Sequence, residues 1–99
     1  MAHKKIDGVI EAVRYTPDGK ISEVRSYQRR GAVWSDRVII DRTELIEQIK
    51  NSKRFVTGTR KEFLGGVFKT GSAVRFIDDH IVTEGQAALR DLLAGVPVF

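Results

Sequence analysis

The stretch from residue 54 to residue 78, RFVTGTRKEFLGGVFKTGSAVRFID, constrains the fold more than any other part of the chain. It holds β-branched, aromatic and long aliphatic residues in short runs that are interrupted by glycines. A helix would not carry four glycines in this length, because glycine disfavours helical backbone. The pattern therefore predicts three closely connected β-strands that supply the centre of the hydrophobic core.

The glycines of this stretch also predict where its strands turn. Thr70 and Gly71 fit a two-residue hairpin turn in which Gly71 takes positive φ, and this turn would pair Lys69 with Ser72. The glycine pair at 65–66 fits a sharp bend or bulge, or a place where the backbone of a ligand approaches closely. No helix begins at the pair and no Lys-Ser/Thr sequence follows it directly, so it does not resemble a phosphate-binding loop.

A second hairpin is predicted near the N-terminus, where strands over residues 6–15 and 20–27 flank Thr-Pro-Asp-Gly at positions 16–19. Proline presets φ at the first turn position, and glycine takes the left-handed position that closes the loop. The loop length predicts these pairs: Tyr15 with Ile21, Val13 with Glu23, Glu11 with Arg25, and Val9 with Tyr27. Both faces of the hairpin hold apolar residues, which fits a ribbon curled into a small barrel.

Two capping-box patterns predict two short helices. Asp41 and Glu44 mark the start of a helix from residue 42 to about residue 51, which follows a strand over residues 32–40. Thr-Glu-Gly-Gln at positions 83–86 precedes a second helix over residues 87–94, which Gly95 ends. A short strand over residues 80–82 leads into this second helix.

The last residues of the chain are apolar, which is unusual for a chain end. Val96, Val98 and Phe99 predict either that the tail docks back on the sheet or that it contacts a partner or a second copy. The sequence leaves these two alternatives open.

Strands joined by hairpins rather than by helices indicate an antiparallel or mixed sheet. We therefore expect one β-rich α+β domain over residues 1–99. It would be a small antiparallel or mixed β-barrel or roll of about six strands, with one short helix after the third strand and another at the C-terminus. The apolar fraction of 41% and the charged fraction of 30% are typical of a globular chain. No apolar run approaches the roughly 20 residues of a transmembrane helix, and no secretory segment begins the chain, so we expect a cytoplasmic protein with no membrane partner.

Catalytic chemistry has little support in this sequence. The chain has no cysteine, which excludes disulfides, thiol catalysis and cysteine-ligated metals. It also lacks a nucleophile elbow, a dinucleotide fingerprint and a phosphate-binding loop, so we predict no catalytic residues and no cofactor, and an enzyme is not favoured. Asp78, Asp79 and His80 form a weak alternative site for a divalent cation, although paired aspartates are also common in turns.

The distribution of charge indicates an anionic partner. The net charge is +4, and the cations are concentrated in residues 25–42, with five basic and two acidic side chains, and in residues 53–77, with six and one. The leading hypothesis is a small non-enzymatic binding module that binds RNA or single-stranded nucleic acid through a basic face with aromatic stacking. The predicted binding residues are Arg25, Arg29, Arg30, Trp34, Arg54, Arg60, Lys61, Lys69 and Arg75.

The alternative function is protein–protein interaction or homodimerisation. A sheet edge or the apolar C-terminal tail would form the contact, and an acidic protein would be the natural heterologous partner of a basic domain. Trp34 belongs either to the core or to a stacking surface, and the sequence leaves both positions open. The oligomeric state is open as well.

Overall fold

A computed structural model describes residues 6–31, 33–60, 68–87 and 89–99 of the chain. In these residues the protein has seven strands and one helix. In chain order they are β1 (Gly8–Tyr15), β2 (Ile21–Arg30), β3 (Val33–Trp34), β4 (Val38–Asp41), α1 (Arg42–Lys50), β5 (Phe55–Arg60), β6 (Phe68–Ile77) and β7 (His80–Thr83).

The strands form one curled mixed sheet. Their order is β3-β2-β1-β5-β6-β7. β4 also pairs with β2, at residues 23–26, whereas β3 pairs with residues 29–30 of β2. All pairs are antiparallel except that of β1 with β5. Among the described residues no pairing joins β7 to β3 or β4, so the sheet is a half-barrel. The β-rich α+β class is confirmed, whereas the closed barrel is not.

The N-terminal hairpin forms at the predicted turn, where Gly19 has a φ of +87°. The predicted register holds at its two ends but is wrong by one residue between them. Val13 was expected opposite Glu23 and pairs instead with Val24. Arg25 was expected opposite Glu11 and pairs instead with Ala12. Each strand contains one extra residue, Ser22 in β2 and Glu11 in β1, and the two offsets cancel. The shift places Val13 and Val24, both fully buried, on the same core face.

The central stretch is confirmed as β-structure in its described residues, but its predicted turn is wrong. Thr70 and Gly71 lie inside β6, and Lys69 pairs with Thr59 rather than with Ser72. The register shifts here, and a Cβ added to Gly71 would lie 2.6 Å from Thr57 Oγ1. The glycine therefore admits a neighbouring side chain at a bulge instead of closing a turn. The predicted features at residues 61–67, including the glycine pair, lie outside the described residues.

The first predicted helix is confirmed as α1. Asp41 caps it by accepting a hydrogen bond from the amide of Glu44 at 2.8 Å. Leu45 is fully buried, and Ile46 and Ile49 pack against the same core. A helix of nine residues depends on such packing, because its intrinsic stability in water is marginal.

The hydrophobic core lies between one face of the sheet, α1 and the C-terminal segment. Its buried members are Ile10, Val13, Ile21, Val24, Leu45, Phe55, Val74, Ile81 and Leu93. Side chains alternate between the two faces of a strand, so Val9, which precedes the core residue Ile10, lies on the opposite face. Val9 pairs with Tyr27, and both are also buried. Both faces of the sheet are thus covered near its centre.

The second predicted helix is wrong for the described residues of its segment. Residues 89–99 form turns and isolated bridges, and Leu89 is 83% exposed. Leu92 instead adds to β7: its amide donates to Ile81, and its carbonyl accepts from Thr83. A helix of two turns has little stability of its own, so these contacts determine the path of the chain.

Asp91 is the buried carboxylate that holds this C-terminal segment in place. It accepts hydrogen bonds from the amides of Ile21 at 2.8 Å and Ile81 at 2.9 Å, and from Arg42 Nε at 2.9 Å. Burial raises the pKa of Asp91, but these hydrogen bonds and the charge of Arg42 outweigh it, so the pKa lies below its ordinary value. One side chain thereby joins β2, β7 and α1.

The tail of the chain docks on the sheet, as the first of the two alternatives predicted. The amide of Val13 donates to Pro97 at 2.9 Å, and the amide of Phe99 donates to Val13 at 3.0 Å. Val98 thereby forms a parallel bridge with Val13.

None of the helical residues described here belongs to a helix with the length and apolar character needed to cross a membrane.

We expect Asp91→Ala to lower the free energy of unfolding by about 3 kcal/mol, since it leaves Arg42 and two amides without their acceptor. Asp91→Asn keeps the shape and removes the charge. Because the folded pKa is lowered, the stabilisation by the carboxylate is complete at about pH 7 and is lost as the pH falls below about 4. Urea unfolding over this pH range should show the difference between wild type and Asp91→Asn shrinking on acidification, while the exposed control Glu47→Gln changes little. A difference that is constant with pH would contradict this role.

Gly71→Ala should lower the free energy of unfolding by about 1–3 kcal/mol, because its Cβ would overlap Thr57 Oγ1. In a Thr57→Ala background, which removes that oxygen, the additional cost of Gly71→Ala should fall below about 1 kcal/mol. Chemical denaturation of the four proteins of this cycle measures the coupling. Equal costs in both backgrounds would show that the close approach does not explain the glycine.

Candidate functional site

Arginine and aromatic side chains come together on the sheet face opposite the core. On β2, Val24 and Ser26 lie on the core face, so the residues between and beyond them, Arg25, Tyr27 and Arg29, lie on the other face. Neighbouring strands and one loop contribute the remaining members. We name this set the arginine–aromatic cluster: Tyr27, Trp34, Phe68, Arg29, Arg37 and Arg60.

Three aromatic rings form the centre of the cluster. The ring centroid of Phe68 lies 5.2 Å from that of Tyr27 at 62°, and 4.7 Å from that of Trp34 at 56°. These are favourable edge-to-face and tilted arrangements. Trp34 pairs with Arg29 and Phe68 pairs with Arg60, but three strands separate β3 from β6 in the sheet. The curl of the sheet therefore brings the two rings together.

Three guanidinium groups lie over these rings. Arg60 is 4.3 Å from the centroid of Tyr27 and 5.2 Å from that of Phe68, Arg29 is 5.8 Å from Trp34, and Arg37 is 5.9 Å from Tyr27. All four distances are within the range of cation–π attraction. Arg60 Nη2 donates to the carbonyl of Ser35 at 3.1 Å. Among the described residues, its buried Nε has no hydrogen-bond acceptor.

Glu11 is the acidic residue at the edge of the cluster. Its Oε2 accepts a hydrogen bond from the hydroxyl of Tyr27 at 3.2 Å, and its Oε1 lies 2.7 Å from Arg37 Nε and 4.0 Å from Arg25 Nη1. Arg37 Nε in turn donates to the hydroxyl of Tyr27 at 3.1 Å. This hydrogen bond with Tyr27, followed by the charge of Glu11, raises the pKa of Arg37 further above its ordinary value, so the guanidinium is charged at every physiological pH.

The cationic surface extends from the cluster towards the C-terminus. The guanidinium groups of Arg14 and Arg25 lie 4.6 Å and 4.5 Å from the ring centroid of Phe99. The docked tail thus supplies a ring that orients two further arginines. Because these arginines already occupy the neighbourhood of the ring, Phe99 is a support for cations rather than an open stacking surface.

The three rings of the cluster differ in exposure. Tyr27 is 3% exposed and so cannot stack on a ligand, whereas Trp34 and Phe68 are half-buried. Trp34 is therefore neither a core residue nor fully open to solvent. It lies at the rim, with one side supported by Phe68 and with Arg29 close by.

The predicted binding residues do not all gather at one place. Arg29, Trp34 and Arg60 are in the cluster, Arg25 adjoins it, and Arg30 is exposed at the end of β2. Lys69 lies in β6 and lines a cleft of about 380 Å³ beside the C-terminal segment, which Glu11 also lines. Lys61 lies outside the described residues.

Two further predicted residues lie towards the ends of β5 and β6 that are farthest from Arg60 and Phe68. Arg54 and Arg75 line a cleft of about 470 Å³ with Lys53 and Asp7. Arg75 forms an exposed ion pair with Glu84 at 2.8 Å. These residues are thus separate from the cluster, and the predicted set divides between two ends of the sheet.

Four residues of the site were absent from the predicted binding set: Arg37, Phe68, Glu11 and Tyr27. Arg37 and Phe68 could not be assigned without knowing which parts of the chain meet. The predicted pairing placed Glu11 beside Arg25, but not beside Arg37. For Tyr27 a signal was available, because Arg25, Tyr27 and Arg29 alternate along one strand, which places two cations and a ring on one face.

The alternative cation site receives no support from the geometry. Asp78 and Asp79 form a turn, with φ of 50° and 68°, and His80 begins β7. His80 Nδ1 lies 3.7 Å from Oδ1 of Asp91, which is not one of the predicted ligands. Within the described parts of the chain, no group of three or more His, Cys, Asp or Glu side chains is placed to hold a metal ion. The site stays a prediction.

Comparisons with protein-family models, with curated proteins and with solved structures each found no match. The argument about function therefore depends on the geometry of the arginine–aromatic cluster. Its chemistry combines fixed guanidinium groups, which suit phosphates, with a rim tryptophan, which suits a planar ring.

Phe68→Ala should change the environment of Trp34, the only tryptophan in the chain. Loss of the ring at 4.7 Å is expected to shift the emission of the folded protein to longer wavelength and to increase quenching by acrylamide. Stability should fall by about 2 kcal/mol. Phe76→Ala is the matched control, because Phe76 packs against the core and below Lys50. It should destabilise the protein without changing the native emission. Unchanged emission in Phe68→Ala would contradict the assembly of the cluster.

Proposed function

We propose that this protein is a small non-enzymatic binding module for RNA or single-stranded DNA, and that the nucleic acid binds at the arginine–aromatic cluster. The observation that carries the proposal is the meeting of three arginines and three rings on one face, with Arg60 4.3 Å from Tyr27 and in contact with a second ring. Guanidinium groups bind phosphate oxygens through paired hydrogen bonds, and rings held against them are the usual support for unpaired bases.

The cluster is arranged before any ligand arrives. Arg60 is held by the rings of Tyr27 and Phe68 and by the carbonyl of Ser35, so little side-chain freedom remains to be lost on binding. An arginine that is already oriented binds an anion more tightly than a freely moving one.

The position of Trp34 favours a single strand over a duplex. A rim ring stacks on a base only when that base is unpaired and turned out of its own stack. Tyr27 is too deeply buried to take part, so stacking is confined to Trp34 with Phe68 beside it. A short site of this kind recognises one or two bases and the phosphates next to them.

The alternative, protein interaction, is supported by one separate feature. The sheet edge formed by β3 and β4 carries Val33, 64% exposed, and Ile39, 55% exposed. The tail, the other candidate contact, is already docked on β1. A sheet edge with apolar side chains accepts another strand, so a homodimer or a complex with an acidic protein is the second proposal.

Binding is tested by titrating the protein with a short uridine-rich RNA and its single-stranded DNA counterpart, with Trp34 fluorescence and oligonucleotide anisotropy as readouts. We expect quenching of Trp34 and a log–log salt slope of about −2, because three arginines contact phosphates of a single strand. Arg60→Ala and Trp34→Ala should each weaken binding by about 10-fold or more. A duplex of the same sequence should bind more weakly.

Arg75→Ala is the matched control, because it removes one arginine from the other end of the sheet, where Arg75 pairs with Glu84. It should leave the affinity within about twofold of wild type. A flat salt response, or equal losses in Arg60→Ala and Arg75→Ala, would contradict binding at the cluster. A dimer in sedimentation that dissociates in Ile39→Glu, together with no oligonucleotide binding, would favour the second proposal.

A further inference from the structure

Glu11 is the carboxylate that pairs with cluster arginines in the described residues, while Asp36 lines the cleft between Tyr27, Arg37 and Arg60. The side chain of Glu11 is only 13% exposed, and its two oxygens face Arg37, Arg25 and the hydroxyl of Tyr27. A carboxylate so placed neutralises part of the charge that would otherwise attract an anion.

Glu11 occupies the β1 bulge. It is the extra residue between Ile10 and Ala12, so it has no partner in the register of β1 with β2. The regular hairpin predicted from the turn would pair it with Arg25, which is still one of its contacts. The bulge therefore leaves Glu11 outside the strand pairing but beside the cations, and bulges are concentrated next to functional sites.

The contact between Glu11 and Arg37 is one of charge rather than of a directed hydrogen bond. Arg37 Nε is 2.7 Å from Glu11 Oε1, but its N–H is directed to the hydroxyl of Tyr27. Among the described residues, Oε1 accepts no hydrogen bond. Arg37 is also 57% exposed and belongs to the loop between β3 and β4. An exposed arginine whose contact with a carboxylate is not a directed hydrogen bond can exchange that carboxylate for a better acceptor.

We infer that Glu11 acts as an internal competitor of the ligand phosphate: in the free protein it engages Arg37, and the phosphate of a bound single strand takes its place. This inference rests on the proposed function and adds regulation to the same site. Glu11 keeps its contacts with Tyr27 and Arg25 when Arg37 turns to the ligand. It therefore lowers the affinity for every polyanion, and only a strand that also stacks on Trp34 compensates for the lost ion pair.

Glu11→Gln tests the inference with the same oligonucleotides. The amide keeps the size of the side chain and an acceptor for Tyr27, but it removes the charge that holds Arg37. We expect the affinity for the single-stranded RNA to rise about threefold to tenfold at low salt. The salt slope should stay close to the wild-type value of about −2, because Arg37 contacts a phosphate in both proteins. Binding to inorganic polyphosphate, which cannot stack, should rise by a larger factor than binding to the RNA.

Two controls separate this mechanism from a general change of charge. Glu47→Gln removes an exposed acidic charge from α1 and should raise the affinity by less than about twofold. In an Arg37→Gln background Glu11→Gln should produce no gain beyond that of Glu47→Gln. Glu11→Asp keeps the charge but withdraws it from Arg37, so it should also tighten binding, and it replaces Glu11→Gln if that variant does not fold.

The outcomes distinguish the inference from the proposed function. If wild type binds the oligonucleotide and Glu11→Gln binds no more tightly, or gains as much in the Arg37→Gln background, the inference is overturned and the proposed function stands. If neither wild type nor Glu11→Gln binds any oligonucleotide, the proposed function fails and the inference fails with it.

Discussion

The buried carboxylate of Asp91 is the interaction on which the architecture depends. It connects the amide of Ile21, the amide of Ile81 and the guanidinium of Arg42, and so joins the first hairpin, the last strand and the helix. The half-barrel has no strand pairing to close it among the described residues, so this polar contact fastens parts of the sheet that hydrogen bonds between strands do not. A fully buried charge is stable here because each of its oxygens has donors.

The sheet fastened in this way has two distinct faces. One face carries the apolar core beneath α1, and the other carries arginines that lie over rings. Alternation of side chains along β2 and β5 makes both faces from the same strands, so stability and the proposed binding surface are coupled through one backbone. The docked tail extends that surface, because Phe99 supports Arg14 and Arg25. The β1 bulge leaves Glu11 outside the strand pairing but beside the cations.

Local sequence signals predicted the features that depend on a few neighbouring residues. The Thr-Pro-Asp-Gly turn, the Asp41 cap and α1 form as expected, since a proline, a glycine and a capping carboxylate each act within one turn of backbone. Gly71 was interpreted as a turn residue because glycine serves both turns and close approaches. Only the position of Thr57 on the neighbouring strand separates the two uses. For the binding site, the sequence indicated the cations and Trp34, but it did not indicate which of them meet.

The sequence by itself determined the β-rich class, the strands on either side of the first turn, the capped helix α1 and the concentration of positive charge. Composition, alternation and turn chemistry are properties of short segments, so they are present in the chain before it folds. Tertiary structure alone decided the register offset at Glu11, the loss of the second helix to Asp91 and Leu92, and the division of the cations between two ends of the sheet. Those outcomes depend on contacts between distant residues, such as Ile21 with Asp91, which lie 70 positions apart, and no local pattern encodes such a contact.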